Sequence, residues 1–234
     1  MSSRKQEVFS KLDYVSDQYQ TMMGELFRAK RDGQDPKHLT HAVSDILSNS
    51  RECFDYLGQD ILEKHILPLT RNTKLLQDYQ QGRVKAYFPF YESQLQKKAL
   101  YAELRLTNAS LHKALISFTR DISMNNKIPN TLFEYGLFYE LRDIVNHKKH
   151  DRLVALVSEQ QAEILIESPG MQVLIPKDRQ QGWTEVVVGP DTEMTRVQEY
   201  RFEYNKREIA DFCMFAHRAT EIIMRKFYDE FFDS

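Results

Sequence analysis

Residues 141–150 read LRDIVNHKKH and place apolar and polar side chains at helical spacing. At about 100° per residue, one side of such a helix holds Leu141, Ile144 and Val145. An arc of roughly 100° on the opposite side holds the polar set, Asp143, Asn146, His147 and His150, with Arg142 at its edge. We therefore predict a helix that packs into a bundle and carries the densest group of chemically active side chains in the chain.

Apolar residues at the same helical spacing also occur earlier and later in the sequence. They predict helices over residues 5–30, 36–65, 91–106, 108–124 and 206–231, with Asp35 and Asn108 as N-caps. The central helix itself is predicted to begin at Pro129-Asn130. Residues 83–90, RVKAYFPF, are predicted to form an extended segment that lies over the bundle, because Pro89 cannot continue a strand ladder.

The pattern changes after Glu159 to short β-rich runs separated by Gly and Pro. Strands are predicted at residues 162–167, 171–175, 183–188 and 194–204, and Asn205 with Glu208 is predicted to form a capping box for the last helix. The single tryptophan, Trp183, either forms a contact surface or closes the end of the bundle.

The predicted fold is therefore mainly α: a helical bundle with a small antiparallel β meander inserted before the last helix, α+β overall. We expect one domain, residues 1–234, in which residues 1–159 form the bundle, 160–205 the β insertion, and 206–234 a C-terminal helix that returns to the bundle.

Composition limits the possible functions. A formal net charge of −2 argues against binding of nucleic acid through overall charge, although a local basic patch is compatible with it. Cys53 and Cys213 lie in apolar helical patterns, which indicates buried thiols rather than a zinc site. No signal-type segment and no apolar run of the ~20 residues needed to span a membrane occurs, so we expect a cytoplasmic protein without a membrane partner.

Residues 141–153 have the chemistry for cleavage of RNA. Histidine exchanges protons near neutral pH, and arginine presents a fork of donors that matches a phosphate. RNA carries its own nucleophile, the 2′-hydroxyl, so a general base and a phosphate stabiliser can cleave it without a metal. We predict His147 as base or acid, Arg142 as phosphate stabiliser and Asn146 as orienting donor. The residues expected to attract the RNA backbone are Lys148, Lys149 and Arg152.

We expect neither a metal nor another cofactor. His147 and His150 are three residues apart with Asp143 and Asp151 nearby, but no second carboxylate-rich set accompanies them.

The segment from Arg142 to His147 has the form Arg, four residues, His, with a polar residue after the arginine. It resembles the R-x(4–6)-H signature of the HEPN superfamily of helical-bundle proteins. The resemblance implies a metal-independent endoribonuclease of a bacterial defence or toxin-type system, active as a homodimer, with a protein such as an antitoxin as a possible partner. It implies that Arg142 and His147 are catalytic and that Asp143 and Asn146 are their polar neighbours.

Three further segments resemble uncharacterised bacterial relatives of that bundle: SNSRECFDYL at residues 48–57, FPF at 88–90 and KHDRL at 149–153. The likeness spans about residues 40–165. It implies a set of binding residues, Asn49, Arg51, Asp55, Lys149, His150 and Arg152. In these relatives the emphasis falls on Lys149-His150 rather than on the Arg-to-His motif, so a structural role for that motif is the competing implication.

Alternative hypotheses follow from the same residues. The chain can be a non-catalytic HEPN-like module that binds a nucleotide, RNA or a protein partner within a defence or regulatory assembly, or a structural helical protein that pairs with its own copy. Cations near a helix C-terminus are favourable in any case because they offset the helix dipole. Arg51 and Asp55 are four residues apart and can be a plain surface ion pair. Arg142 and His147 are roughly 140° apart on an ideal helix, so a shared phosphate needs a long reach or a second subunit.

Overall fold

The structure, a computed structural model, describes residues 4–150, 154–175, 189 and 191–232, and of residues 147–150 and 159–162 it describes the backbone alone. Its helices are α1 (Arg4–Arg31), α2 (Thr40–Asp60), α3 (Thr73–Gln80), α4 (Glu92–Lys97), α5 (Ala99–Thr107), α6 (Ala109–Ser123), α7 (Leu137–His150) and α8 (Ile209–Phe231). Its strands are β1 (Leu156–Ser168), β2 (Met171–Ile175) and β3 (Glu193–Phe202). The predicted mainly α fold with a small antiparallel sheet before the last helix is confirmed.

Helices α1, α2 and α8 pack against one another and form the centre of the bundle. In the predicted stripe of α1, which also includes Tyr19, all members are buried except Tyr19, which is partly buried; the buried ones are Val8, Leu12, Val15, Met22 and Leu26. Helix α2 follows a 3-10 turn, Pro36–Leu39, where Asp35 accepts a hydrogen bond from the backbone N–H of Lys37 at 2.9 Å. It continues as a π-helical segment, Ile61–Ile66, so the prediction of helix over residues 36–65 is confirmed. None of the described helices is long and apolar enough to cross a membrane.

The extended segment predicted at residues 83–90 is present, but it enters the core instead of only covering it. Phe88 and Phe90 are buried, and each ring centroid lies 5.1 Å from that of Phe54. The segment crosses α2 at Gly58, where a Cβ atom would lie 2.8 Å from the backbone nitrogen of Phe88. A glycine at this position therefore permits the close contact between helix and segment.

The start of α7 was predicted wrongly. Residues 125–136 form a tight hairpin instead of helix, in which the N–H of Ile128 donates to the carbonyl of Phe133 at 2.9 Å. Asn125 and Asn130 have φ of 52° and 60°, which interrupts any helix. The helix begins only at Leu137, and its buried side holds Leu141, Ile144 and Val145 as expected. Further along the chain α6 has its predicted cap, since Asn108 Oδ1 accepts from Leu111 N at 3.0 Å.

The sheet has the strand order β2-β1-β3, with both pairs antiparallel and an irregularity between Glu159 and Ala162. The strand predicted at residues 171–175 is β2, the one at 194–204 corresponds to β3, and 162–167 lies inside the longer β1. The strand predicted at 183–188, including Trp183, lies outside the described residues.

The predicted capping box at the last helix is also wrong. The N-cap of α8 is Glu208, whose side chain accepts from Asp211 N at 2.8 Å. Asn205 instead lies in the preceding turn and donates to Glu140 at 2.7 Å. The predicted apolar side of α8 is buried, namely Ile209, Phe212, Ala216, Ile223 and Phe227, and the two cysteines are buried free thiols.

Candidate functional site

A cavity of about 240 Å³ lies where α2 and α7 meet residues 87–98, the end of the extended segment and helix α4. We call it the basic cavity. It is lined by Arg51, Asp55, Tyr87, Phe88, Phe90, Gln94, Lys98, Arg142 and Asn146. Three of these side chains are cationic and one is a carboxylate, so the formal charge of the lining is positive. This cavity brings together residues from three separate parts of the sequence.

Arg51 forms the deepest charged part of the cavity. The residue is 9 % exposed, its Nη1 donates to Asp55 Oδ1 at 2.7 Å, and its guanidinium carbon lies 4.8 Å from the Phe90 ring centroid. Its Nε is buried and has no hydrogen-bond partner. Arg51 and Asp55 form the ion pair that the alternative hypothesis expects, and the pair is partly buried because Phe90 covers the guanidinium. A buried guanidinium N–H without an acceptor is costly, and an anion in the cavity would relieve that cost.

Arg142 reaches the cavity from α7. Its guanidinium carbon lies 4.3 Å from the ring centroid of Tyr91, and Tyr91 in turn stacks on Tyr139 at 4.6 Å. The Nε of Arg142 donates to Asp143 Oδ1 at 3.0 Å, and Nη2 donates to the same oxygen. Burial raises the pKa of the Tyr91 phenol, whose ring lies beneath the guanidinium. The aromatic stack and the carboxylate together hold Arg142 in one orientation.

The extended segment is held beside α2 by side chains of neighbouring helices. Gln94 Oε1 accepts from the backbone N–H groups of Phe90 and Tyr91, at 2.8 and 3.2 Å. Gln59 Nε2 donates to the carbonyl of Ala86 at 3.1 Å, and the hydroxyl of Tyr101 donates to the carbonyl of Tyr87. These bonds satisfy backbone groups that no strand partner satisfies, so the aromatic side chains of the segment have defined positions.

Lys98 supplies the third cation. It separates α4 from α5 with an extended backbone, φ −89° and ψ 122°, and its Nζ lies 5.7 Å from the Tyr87 ring centroid. The prediction of one continuous helix over residues 91–106 missed this break. Lys98 and Gln94 were not among the predicted site residues, because both lie in a stretch with ordinary helical spacing and nothing local marks them.

Of the predicted site residues, the structure brings together Arg142, Asn146, Arg51 and Asp55. Asp143 lies next to the cavity as the partner of Arg142. Asn49 lies elsewhere and accepts from Lys11 Nζ at 3.1 Å, because a residue two positions before Arg51 points to a different side of α2. The side chains of His147, Lys149 and His150, and all of Arg152, lie outside the described residues.

The described part of the chain contains no group of three or more His, Cys, Asp or Glu side chains arranged to hold a metal ion. The chemistry that the basic cavity supports is binding of an anion by guanidinium, ammonium and amide donors beside aromatic rings. A phosphate group has the size, charge and acceptor geometry for this set. The fold and the site together define a class of protein that is mainly helical and has a basic cavity lined partly by aromatic rings.

Comparison of the chain with protein-family models, with curated proteins and with solved structures gives no match. The HEPN resemblance therefore stays a prediction from the residues that carry it.

Proposed function

We propose that this protein binds RNA with a backbone phosphate in the basic cavity, and that it is an HEPN-like, metal-independent endoribonuclease. One observation carries the proposal: Arg51, Lys98 and Arg142 converge on a single cavity in which the Nε of Arg51 has no partner. A phosphate oxygen is the acceptor that this arrangement of donors fits best.

The aromatic residues of the cavity support a nucleic acid over a small inorganic anion. Tyr87 is 44 % exposed beside Lys98, and an exposed ring next to cations is the arrangement on which unpaired bases stack. An RNA strand would then lie with a phosphate between the arginines and a base on Tyr87. The negative overall charge of the protein restricts this attraction to the cavity and its surroundings.

In the proposed reaction the ribose 2′-oxygen attacks the adjacent phosphorus while His147 accepts the hydroxyl proton. The bond from phosphorus to the 5′-oxygen breaks, and that oxygen takes up a proton from water, which leaves a 2′,3′-cyclic phosphate and a 5′-hydroxyl. Arg142 would offset the charge on the phosphorane, and the amide of Asn146 would orient the phosphate. Helix α7 continues through His150, and His147 on this helix directly follows Asn146, which lines the cavity.

A homodimer is part of this proposal. Arg142 and Asn146 are four residues apart and share the cavity side of α7, whereas His147 is displaced from Arg142 by roughly 140° on an ideal helix. The imidazole of a second copy would therefore complete the site. A cytoplasmic location, a bacterial defence or toxin-type role and an antitoxin-like partner belong to the same proposal. So does attraction of the RNA backbone by Lys149, His150 and Arg152.

A second candidate function is a non-catalytic module that binds RNA. It is favoured by the pairing of both arginines with carboxylates of their own helices, Arg51 with Asp55 and Arg142 with Asp143. Such pairs hold guanidinium groups in place for recognition whether or not a reaction follows.

The experiment that separates these functions is incubation of the protein with end-labelled single-stranded RNA in EDTA, with binding and cleavage measured on the same samples. Arg142→Ala and His147→Ala should both abolish formation of the 2′,3′-cyclic product, and Arg142→Ala should also weaken binding. Arg225→Ala is the matched control, since that exposed arginine lies on α8 and pairs with Glu221.

Cleavage that survives both site variants would contradict the catalytic assignment. Binding that depends on Arg142 without any cleavage would support the non-catalytic module. An RNA affinity that is the same for wild type, Arg142→Ala and Arg225→Ala would contradict both functions.

A further inference from the structure

A second and larger cavity, about 1010 Å³, opens between the 125–136 hairpin, the start of α7, the end of β3 and α8. We call it the hairpin groove. It shares no lining residue with the basic cavity. One end of the groove is apolar and the other is charged, so the two ends favour different parts of a ligand.

The apolar end consists of aromatic side chains below an exposed leucine. The ring of Phe133 lies 5.6 Å from that of Phe215, which lies 5.7 Å from that of Phe212. Leu132 is 82 % exposed at the edge of the groove, and Ile222 of α8 is 36 % exposed on the same lining. Apolar side chains exposed beside an apolar hollow are typical of a surface that contacts another molecule.

The exposure of Leu132 follows from a well-bonded hairpin. The residues on either side of it are tied down, since Phe133 N donates to Thr131 Oγ1 at 3.0 Å and Thr131 Oγ1 donates to Ile128 O at 2.9 Å. The Ile128 N–H also donates to the Phe133 carbonyl at 2.9 Å. This bonding holds the leucine away from the core and at the edge of the groove.

The charged end contains a buried acceptor that lacks a donor. Glu199 is 3 % exposed, and one of its carboxylate oxygens, Oε1, accepts from Arg201 Nη2 at 2.6 Å. The other oxygen, Oε2, is buried and has no hydrogen-bond partner. A buried carboxylate oxygen without a donor is costly, so an N–H donor that enters the groove would gain this bond without displacing another.

Neighbouring carboxylates in the groove already have donors. Glu140 accepts from Arg207 and Asn205, at 2.8 and 2.7 Å. Glu208 accepts from the backbone N–H of Asp211 and pairs with Lys30 at 3.3 Å. Glu199 also pairs with Arg201, but its Oε2 is the buried oxygen of the groove carboxylates that lacks a hydrogen bond, so we take it as the acceptor for an incoming cation.

We propose that the hairpin groove binds a peptide segment of a partner protein in which a lysine or arginine stands next to a large apolar residue. The basic side chain donates to Glu199 Oε2, and the apolar side chain packs on Phe133 and Ile222 beside Leu132, above the buried rings of Phe212 and Phe215. A peptide is favoured over a small molecule because the volume is at the upper end of the range for small-molecule pockets and the exposed Leu132 extends the contact beyond the cavity. The charge of Glu199 and the apolar floor specify the two side chains that the peptide must carry.

The test is selection of short random peptides, displayed on phage, against the full-length protein. Enriched peptides should carry Lys or Arg beside Leu, Ile, Met or Phe. The peptide most enriched should then be synthesised with a fluorescent label, and its affinity measured by anisotropy. Glu199→Gln, which keeps the shape but removes the charge, should weaken that affinity about tenfold, as should Leu132→Ser.

Leu132→Ser changes a side chain at the exposed tip of the hairpin, so it tests the groove even if Glu199→Gln fails to fold. Lys11→Ala, which changes a residue that contacts α2 at Asn49 and Glu52 and does not line the groove, should leave the affinity unchanged. The proposal is overturned if no peptide is enriched, if the enriched peptides are acidic, or if the peptide binds equally to wild type and Leu132→Ser. Cleavage and binding of RNA should be unaffected in both groove variants, so this result is independent of the proposed function.

Discussion

The guanidinium carbon of Arg51 lies 4.8 Å from the centroid of the Phe90 ring, although the two residues belong to separate parts of the chain. The aromatic ring excludes water from one face of the arginine, while Asp55 holds Nη1 at 2.7 Å. An ion pair of ordinary helical spacing is thereby converted into a partly buried one. In a less polar environment its remaining N–H donors attract an anion more strongly than they would at the surface.

Replacement of Arg51 by lysine should weaken RNA binding, because an ammonium group cannot stack on Phe90 and donate in two directions at once. We expect a loss of about tenfold in affinity, measured by fluorescence anisotropy with a labelled single-stranded RNA. The variant should also show a shallower dependence of affinity on salt, because a phosphate contact is weakened.

Lys11→Ala is the control for this variant, since Lys11 contacts α2 at Asn49 and Glu52, away from the basic cavity. Equal affinity for wild type and Arg51→Lys would argue against the basic cavity as the RNA site.

A methyl group at Gly58 should destabilise the protein. The new Cβ atom would lie 2.8 Å from Phe88 N and 3.0 Å from Ala86 O, both of which are backbone atoms that cannot move independently of the segment. We expect Gly58→Ala to lower the free energy of unfolding by about 1–3 kcal/mol, and urea denaturation would measure it.

Gly24 provides a matched comparison within α1. No atom lies within 4 Å of a Cβ built there, so Gly24→Ala should stabilise the helix by about 0.5–1 kcal/mol. If both substitutions change the free energy of unfolding in the same direction, the close approach of the segment to Gly58 does not explain the effect of Gly58→Ala.

The buried carboxylate of Glu163 should make stability depend on pH. Glu163 is fully buried against Lys30, with Glu208 and Glu199 nearby, and burial raises its pKa from 4.5 to about 7. A carboxyl group whose pKa is higher in the folded state binds its proton more tightly there. Its stabilising contribution is therefore present below pH 4.5 and is lost as the pH rises to about 7.

The measurement is the free energy of unfolding of wild type minus that of Glu163→Gln at several pH values. This difference should fall by about 1–3 kcal/mol across that window. Burial lowers the pKa values of His65, His112 and His217, so these histidines make the protein more stable as the pH rises. Their contribution cancels in the difference because both proteins contain them. Glu193→Gln, an exposed change in the same sheet, is the control for the substitution itself. A difference for Glu163→Gln that does not change with pH would contradict the prediction.

The hydroxyl of Tyr228 should contribute to stability through Asp60. It donates to Asp60 Oδ2 at 2.8 Å, and Asp60 is fully buried and also accepts from Arg4 Nη1 at 2.8 Å. Tyr228→Phe removes one donor from a buried carboxylate, and we expect a loss of about 1–3 kcal/mol in thermal denaturation.

Tyr14→Phe is the comparison, because Tyr14 is 54 % exposed and its hydroxyl accepts only a surface bond from Gln18. A loss for Tyr14→Phe as large as that for Tyr228→Phe would show that burial is not the cause.

The helices were predictable because their information is local. Residues spaced by three and four face one side of a helix, so the stripe from Val8 to Leu26 and that of α8 could be recognised without knowing their partners. The errors occur where a local signal has two outcomes. Pro129-Asn130 suits the start of a helix, but hydrogen bonds from Thr131 to Ile128 and from Ile128 to Phe133 place the two residues in the turn of a hairpin instead. Asn205 can cap a helix, but its side chain instead donates a hydrogen bond to Glu140 of α7, and Glu208 caps α8.

The candidate site was predictable only in part. The spacing of α7 identified Arg142 and Asn146 as one polar region, and Arg51 with Asp55 as a pair, from residues four apart in each case. That both pairs line one cavity depends on how α2 and α7 pack together. That Lys98 joins them depends on a break between α4 and α5 that no residue of that stretch signals.

The sequence by itself therefore determined most of the helices, although not α3 or the break at Lys98. It also determined the antiparallel strands before the last helix and most of the side chains that can bind a phosphate. Each of these follows from the chemistry and spacing of residues a few positions apart. Only the tertiary structure decided that Phe90 covers Arg51, that the basic cavity contains three cations, and that Glu199 lies buried with one oxygen unpaired. Burial and charge at a point in space depend on residues that are distant in the chain, and periodicity carries no information about those distances.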